Sequence, residues 1–309
     1  MVGRLGCYTI PCTRHRSCSC TLLLNPPQQF WPLELTMSIR PNYFSQPFLT
    51  QRAFKYLVRR FEIGTYLFRS GIGAVIRPNY AYLVYQAARL AARLGQPRVS
   101  ILEFGVAGGE GLLALESHAK QVEMLFPVKI DIYGFDTGKG LPEALDYRDL
   151  IYHWKPGFFE MDISGLTARL KKARLILGNV SDTIGRFFEQ HHPAPIGAVS
   201  FDVDFYSSTV MALKLFDANP SHFLPRAFCY FDDIIGGPTE LYGDFTGMRL
   251  AIHEFNEDHP NVKLSPIYYL RTATAAPAWH HQMWSLHFFD HIDYNKFVSE
   301  ENQQLALTK

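Results

Sequence analysis

Val99 to Phe104 is a short apolar run, and it opens directly into small residues: Leu102-Glu103-Phe104-Gly105-Val106-Ala107-Gly108-Gly109-Glu110-Gly111. Small residues between a buried strand and a helix let the backbone approach a ligand closely. They also leave the helix N-terminal amides free to face it. In open α/β sheets the ligand crevice lies at the carboxyl ends of the strands, where this turn sits. A turn of this kind alone also fits a purely structural role. The spacing is not Gly-x-Gly-x-x-Gly, which disfavours a nicotinamide dinucleotide. Glu103, at the end of the strand, puts a carboxylate where a cationic amino group can be held.

Outward from this turn the chain alternates. Apolar runs at Val99 to Phe104, Ile130 to Phe135, Ala173 to Leu177, Ile196 to Phe201 and Ala227 to Phe231 read as strands. Amphipathic stretches at Gly109 to Leu125, Ile163 to Lys172, Asp182 to Gln190, Thr209 to Phe216 and Gly247 to Asn256 read as helices. Buried runs alternating with helices predict βαβ units, and so a mostly parallel sheet with helices on both faces. Lys263 to Leu270 and Gln282 to Phe289 predict a closing antiparallel hairpin. Upstream, Ala53, Phe54, Leu57, Val58 and Phe61 recur at three- and four-residue steps, and the stretch from Tyr80 to Ala92 is a strong helix former. The expected organisation is a tail at residues 1–36, a helical N-terminal extension at 37–96, one α/β domain at 97–295 and a polar tail at 296–309.

Composition narrows the class. The chain has 309 residues, 47% hydrophobic and 19% charged, with a formal net charge of +1. That suffices for one sizeable core and supplies no global positive field for nucleic acid or an anionic membrane. Four of five cysteines (Cys7, Cys12, Cys18, Cys20) lie in the first twenty residues, so the body reads as a protein of a reducing compartment, the cytoplasm. No apolar stretch is long enough to span a bilayer. None of the twelve histidines has ligand spacing with a second ligand. Ser208-Thr209 lacks the Gly-x-Ser-x-Gly elbow of a hydrolase.

The ends of the other strands carry the chemistry. The second ends in Gly134-Phe135-Asp136-Thr137-Gly138. A carboxylate at Asp136 is placed to accept hydrogen bonds from ribose hydroxyls, and equally fits a turn or helix cap. The third ends in Gly178-Asn179-Val180, where an adenine edge can rest. The fourth ends in Ser200-Phe201-Asp202-Val203-Asp204, the fifth in Tyr230-Phe231-Asp232-Asp233. Acids from adjacent strands at one sheet edge are unfavourable together unless a cation is present or a proton is shared. All-oxygen ligands without clustered His or Cys suit a hard ion such as Mg²⁺, Mn²⁺ or Ca²⁺.

In order, Glu-Phe-Gly-Val, Gly-Phe-Asp-Thr-Gly-x-Gly-Leu-Pro-Glu, Asp-x-Asp-x-Tyr-x-Ser-Thr and Asp-Asp resemble the macrocin O-methyltransferase family over roughly Ser100 to Asn256. That family comprises metal-dependent enzymes that methylate sugar hydroxyls of antibiotics. The resemblance implies a Rossmann-like class I S-adenosylmethionine (SAM)-dependent methyltransferase fold with a seven-stranded sheet. It implies SAM at Glu103, Phe104, Gly105, Val106, Ala107, Gly109 and Glu110 and at Asp136; Thr137 beside it, and Gly178, Asn179 and Val180 for the adenine, are the further expected contacts from the strand ends. It places a divalent metal, Mg²⁺ first, on Asp202, Asp232 and Asp233; Asp202 and Asp204 are the expected catalytic residues, Asp204 as an acid behind the metal or as a substitute ligand. Ser207 departs from the pattern, standing where the family usually has glutamate.

An alcohol is a poor nucleophile toward a sulfonium methyl until its proton is removed. A metal on the substrate oxygen lowers that pKa, and a neighbouring carboxylate can take the proton. The expected partner is a small hydroxylated acceptor, a sugar or glycoconjugate first, with homo-oligomerisation open. Tyr80, Tyr82, Tyr152, Trp154, Phe158, Phe159, Phe205, Tyr206 and Tyr242 supply rings for stacking on it. Two alternatives share the fold: a non-catalytic SAM-binding or scaffold protein, and an iron-dependent hydroxylase, whose metal would need a His ligand that this region lacks.

Overall fold

The computed structural model describes residues 49–272 and 276–299. The tail expected at 1–36 lies outside the described residues, as does most of that expected at 296–309. Among the described residues, three helices precede the sheet: α1 (Leu49–Arg60), α2 (Tyr66–Gly71) and α3 (Pro78–Leu94). Pro78 suits the first helical position because its missing N–H is one the helix leaves unpaired anyway, and Gly95 ends α3 in a left-handed cap. Of the apolar positions that predicted α1, only Val58 is buried, while Phe54, Leu57 and Phe61 are exposed.

The α/β region runs β1 (Arg98–Phe104), α4 (Glu110–Val122), β2 (Lys129–Asp136), α5 (Ile163–Arg169), β3 (Arg174–Leu177), α6 (Val180–His191), β4 (Ile196–Phe201), α7 (Tyr206–Leu213), β5 (Phe223–Phe231), α8 (Gly247–Asp258), β6 (Val262–Pro266) and β7 (Met283–Phe288). The strands form one seven-stranded sheet in the order β3-β2-β1-β4-β5-β7-β6. β1 to β5 are parallel, and β7 enters antiparallel between β5 and β6. This is the expected Rossmann-like, mostly parallel sheet. The expected closing hairpin is present, but its first strand stops at Pro266 rather than Leu270. Proline lacks the N–H that a continuing ladder needs, and here it ends an edge strand.

Both faces of the sheet are buried. Val99, Ile101, Ile130 and Ile132 face one core with Leu83, Ala87 and Leu115 from α3 and α4. Leu102, Phe104, Phe135, Val199 and Phe201 face the other with Phe187, Leu213 and Ile252 from α6, α7 and α8. The chain winds outward from β1 to β3 and returns to β4, so the topological switch lies between β1 and β4. A ligand crevice belongs at that point, on the carboxyl edge.

That edge is aligned by one rung of aromatic rings. Phe135, Phe104, Phe201 and Phe231 are register partners on β2, β1, β4 and β5. Their rings stack with centroids 4.7, 5.6 and 4.7 Å apart. Each such pair contributes about 0.5–1.5 kcal/mol beyond its buried area. The residue after each ring is Asp136, Gly105, Asp202 and Asp232, so the rung sets these four in a row.

Candidate active site

Gly105 joins the two halves of the edge. Its φ is +84°, and a Cβ there would lie 1.7 Å from the carbonyl oxygen of Asp202. Only glycine lets the turn after β1 run against the backbone that carries the first acid of β4. The turn continues through Val106 and Ala107 to Gly109, which caps α4 without a side-chain hydrogen bond.

The amides of the turn ahead of α4 are partly engaged, while the helix N-terminal amides from Glu110 onward are the ones expected to face a ligand. Val106 and Ala107 donate to Oδ2 of Asp136 at 2.8 and 2.9 Å, and Gly138 donates to Oδ1 at 2.7 Å. Asp136 therefore ties the turns after β1 and β2 together. Thr137 and Asn179 also serve local structure: the Thr137 hydroxyl donates to the Gly140 carbonyl at 3.1 Å, and Asn179 caps α6 by accepting from the Ser181 amide at 3.0 Å. Gly178 donates to the Asp136 carbonyl, and Val180 starts α6 and packs against the core. Phe104 belongs to the aromatic rung and lends the edge only its backbone. Glu110 is exposed and pairs with Arg169 of α5 at 2.9 Å.

Glu103 is nearly sealed, at 1% exposure. Its Oε1 accepts from the Tyr80 hydroxyl at 2.5 Å, and Ser200 donates to the same hydroxyl at 3.2 Å. Its Oε2 is buried with no hydrogen-bond partner. Gly111 makes room for it, since a Cβ there would lie 1.8 Å from Oε1. Burial pushes the Glu103 carboxyl up to about 7, against the pull of the Tyr80 hydroxyl and of Arg77.

Beyond Gly105 the acids converge. One oxygen each of Asp202, Asp232 and Asp233 lies within 4.8 Å of the others. Asp204, in a left-handed backbone at φ +59°, donates its amide to Asp233 Oδ2 at 2.9 Å. Tyr242 donates to Asp233 Oδ1 at 3.1 Å, Tyr230 to Asp232 Oδ1 at 2.5 Å, and the Gln282 amide to the Asp232 carbonyl at 2.5 Å. Burial and the neighbouring acids push Asp202 and Asp233 well above the carboxylate range. Burial and Asp232 raise Asp204 to about 7. Buried like charges with so few donors are costly alone, and a bound cation would offset that cost. All oxygen and this close, the set fits a hard divalent ion.

Two loops brace the site from above. Asp149 is fully buried and accepts from the Ser207 amide at 2.8 Å, the Ser207 hydroxyl at 2.9 Å and the Leu145 amide at 2.8 Å. Ser207 thus anchors the loop after β2 to the start of α7. Tyr152 donates to the Glu240 carbonyl at 2.6 Å, linking that loop to the segment that carries Tyr242. Among the rings expected to stack on an acceptor, Tyr80 and Phe205 are fully buried, Tyr82 bonds Tyr269, and Tyr152, Phe158 and Phe159 are exposed. Sequence reading gave no role to Asp149, Tyr230 or Gln282 and counted Tyr80 and Tyr242 only as rings. The one signal available was Tyr230, two residues before Asp232 on the same strand.

No protein-family model matches the chain, and no curated protein matches it in sequence. Among solved structures, the calicheamicin methyltransferase CalS11 is 20% identical with a TM-score of 0.47, over 78% of this chain and 92% of that one. The O-methyltransferase NovP is 12% identical with a TM-score of 0.47, over 68% and 79%. The MycE methyltransferase of the mycinamycin pathway, in complex with Mg, SAH and mycinamycin VI, is 17% identical with a TM-score of 0.35, over 65% and 54%. All three scores fall below 0.5, so the fold stands on this chain's own strand order and register.

Proposed function

We propose that the chain is a SAM-dependent O-methyltransferase acting on a hydroxyl of a small molecule, a sugar or glycoconjugate first, with a divalent cation held by Asp202, Asp232 and Asp233. One observation carries the reading: Gly105 lays the glycine turn directly on the backbone of Asp202, so a cofactor at the turn and an acceptor at the acids would be neighbours. Proximity of this kind supplies much of the rate enhancement in a two-substrate displacement.

Each residue then has a task. Glu103 Oε2 offers a buried acceptor to the cofactor's ammonium. Asp136 keeps lone pairs for a ribose hydroxyl beyond those used by the three amides. Asp202 and Asp204 orient the acceptor hydroxyl and take its proton as its oxygen attacks the sulfonium methyl, the new C–O bond forming as the C–S bond breaks. Mg²⁺, when bound, supplies Lewis-acid lowering of the hydroxyl pKa. Such an ion favours an acceptor with two neighbouring oxygens, as in a vicinal diol. The reading extends to a reducing, cytoplasmic setting, on the single cysteine, Cys229, in the body of the chain. Among the described residues no helix is long and apolar enough to cross a membrane.

The test is methyl transfer from labelled SAM to a panel of sugars, phenols and glycoconjugates, with Mg²⁺ and with EDTA. Product on a diol-bearing acceptor, lost in EDTA, is the expected result. NAD binding without SAM binding, or transfer indifferent to EDTA, would contradict it.

A further inference from the structure

Arg77 has no place in the scheme above. It precedes Pro78 at the start of α3, with φ 42° and ψ 72°, a left-handed backbone on a residue that is not glycine. Such a conformation costs an ordinary side chain stability and persists where the surroundings hold it. The guanidinium carbon lies 5.2 Å from the centroid of the Tyr80 ring. Tyr80 in turn donates to Glu103 Oε1 at 2.5 Å. Arg77 thus lies one ring away from a carboxylate whose other oxygen is buried and unpartnered. Its electrostatic partners are Tyr80, Glu103, Asp202 and Asp232, and among the described residues it forms no ion pair.

A guanidinium seated over the ring that bonds Glu103, and forming no ion pair among the described residues, is free to hold a further anion. The amino-acid end of SAM carries its ammonium and its carboxylate on one carbon. A site that takes the ammonium must therefore meet a negative charge beside it. Glu103, Asp202 and Asp232 would all repel that charge. Arg77 would attract it, and its planar fork matches a carboxylate in a way a single ammonium does not.

We propose that Arg77 binds the α-carboxylate of the cofactor's methionine moiety, in partnership with Glu103, which takes the α-ammonium through Oε2. This rests on the SAM reading given above and adds to it a residue from the helical N-terminal segment, outside the strand-end motifs. It assigns the left-handed backbone at position 77 a purpose: aiming the guanidinium back across Tyr80 toward the sheet edge.

The test uses two probes in titration calorimetry: SAM, and decarboxylated SAM, which keeps the sulfonium and the ammonium but lacks the carboxylate. Wild type should bind SAM more tightly than the decarboxylated form. Arg77→Ala should weaken SAM by about 10- to 100-fold, the usual worth of a charge-assisted contact, while decarboxylated SAM binds as well as before or better. Arg77→Lys should keep part of the preference. Arg77→Gly relieves the left-handed strain, so it should melt no lower than wild type and still lose the preference. If wild type binds SAM but the Ala and Gly variants bind both probes as wild type does, or lose both equally, the role of Arg77 is overturned and the SAM reading survives. If wild type binds neither probe, the SAM reading fails and takes this inference with it.

Discussion

Two sets of carboxylates stand on one sheet edge, set there by the same rung of phenylalanines, and they live under opposite conditions. Asp136 accepts three backbone amides, from Val106, Ala107 and Gly138. Asp202, Asp204, Asp232 and Asp233 face one another, with one backbone amide and two tyrosine hydroxyls donated to their side chains. The first arrangement is satisfied before any ligand binds, with lone pairs left over. The second is not, and groups that fold against their own electrostatics mark where a protein keeps stability in reserve for a ligand. Position at a strand end does not by itself make an acid functional; what surrounds it does.

The comparison is broken most severely at Gly105, where the two halves touch. Gly105→Ala forces a Cβ into the Asp202 carbonyl and strains the backbone as well. We expect a loss above about 4 kcal/mol or failure to fold, read by urea denaturation. A variant that folds with normal stability would show that the contact is dispensable.

Asp136→Ala sharpens the contrast. It strips three amides of their acceptor and should cost about 2–3 kcal/mol with no ligand present. Asp202→Asn should act in the opposite direction in EDTA. Its folded pKa is raised, so its ionised form destabilises the fold as pH rises through that value. Removing the charge should therefore raise the melting temperature more at pH 8 than at pH 4. Equal destabilisation by both changes would erase the distinction between the two sets.

Glu103 gives a smaller effect with a defined window. Its carboxyl moves from an ordinary 4.5 to about 7 on folding. The folded state therefore holds the proton more tightly, and this contribution to stability is full below about 4.5 and lost as pH rises through 7. Glu103→Gln should flatten the pH dependence of the urea midpoint across that range. An unchanged slope would show that the group titrates normally. The least effect is expected at Ser207→Ala, which removes one hydroxyl bond to Asp149 and leaves the amide bond in place. It should cost about 1 kcal/mol.

Much of this edge was legible in the sequence. Phe-Gly, Phe-Asp, Phe-Asp and Phe-Asp at the ends of Val99 to Phe104, Ile130 to Phe135, Ile196 to Phe201 and Ala227 to Phe231 give the strands, their buried faces and the row of site residues, because side-chain alternation and strand ends are local properties. That three or four acids meet at one edge followed from two pairs on consecutive runs, and the choice of Asp202, Asp232 and Asp233 from the family resemblance. Partners were not legible. Tyr80 reaches Glu103 from a helix 23 residues upstream, and Asp149 reaches Ser207 from 58 residues away; no spacing rule foretells such contacts. The bonds from the Val106 and Ala107 amides were not legible either, since their acceptor, Asp136, ends the next strand. Ser207, a departure from a family pattern when read alone, is explained once Asp149 is beside it.

The central claim is that the acids of β4 and β5 hold a cation beside a cofactor turn that works without it. Mn²⁺ titration followed by electron paramagnetic resonance, with S-adenosylhomocysteine present, tests this most directly. Wild type should bind one Mn²⁺ per chain. The Asp232→Asn, Asp233→Asn double variant should bind none while still binding S-adenosylhomocysteine in calorimetry. Retention of Mn²⁺ by the double variant, or no Mn²⁺ bound by a wild type that binds S-adenosylhomocysteine, would contradict the account.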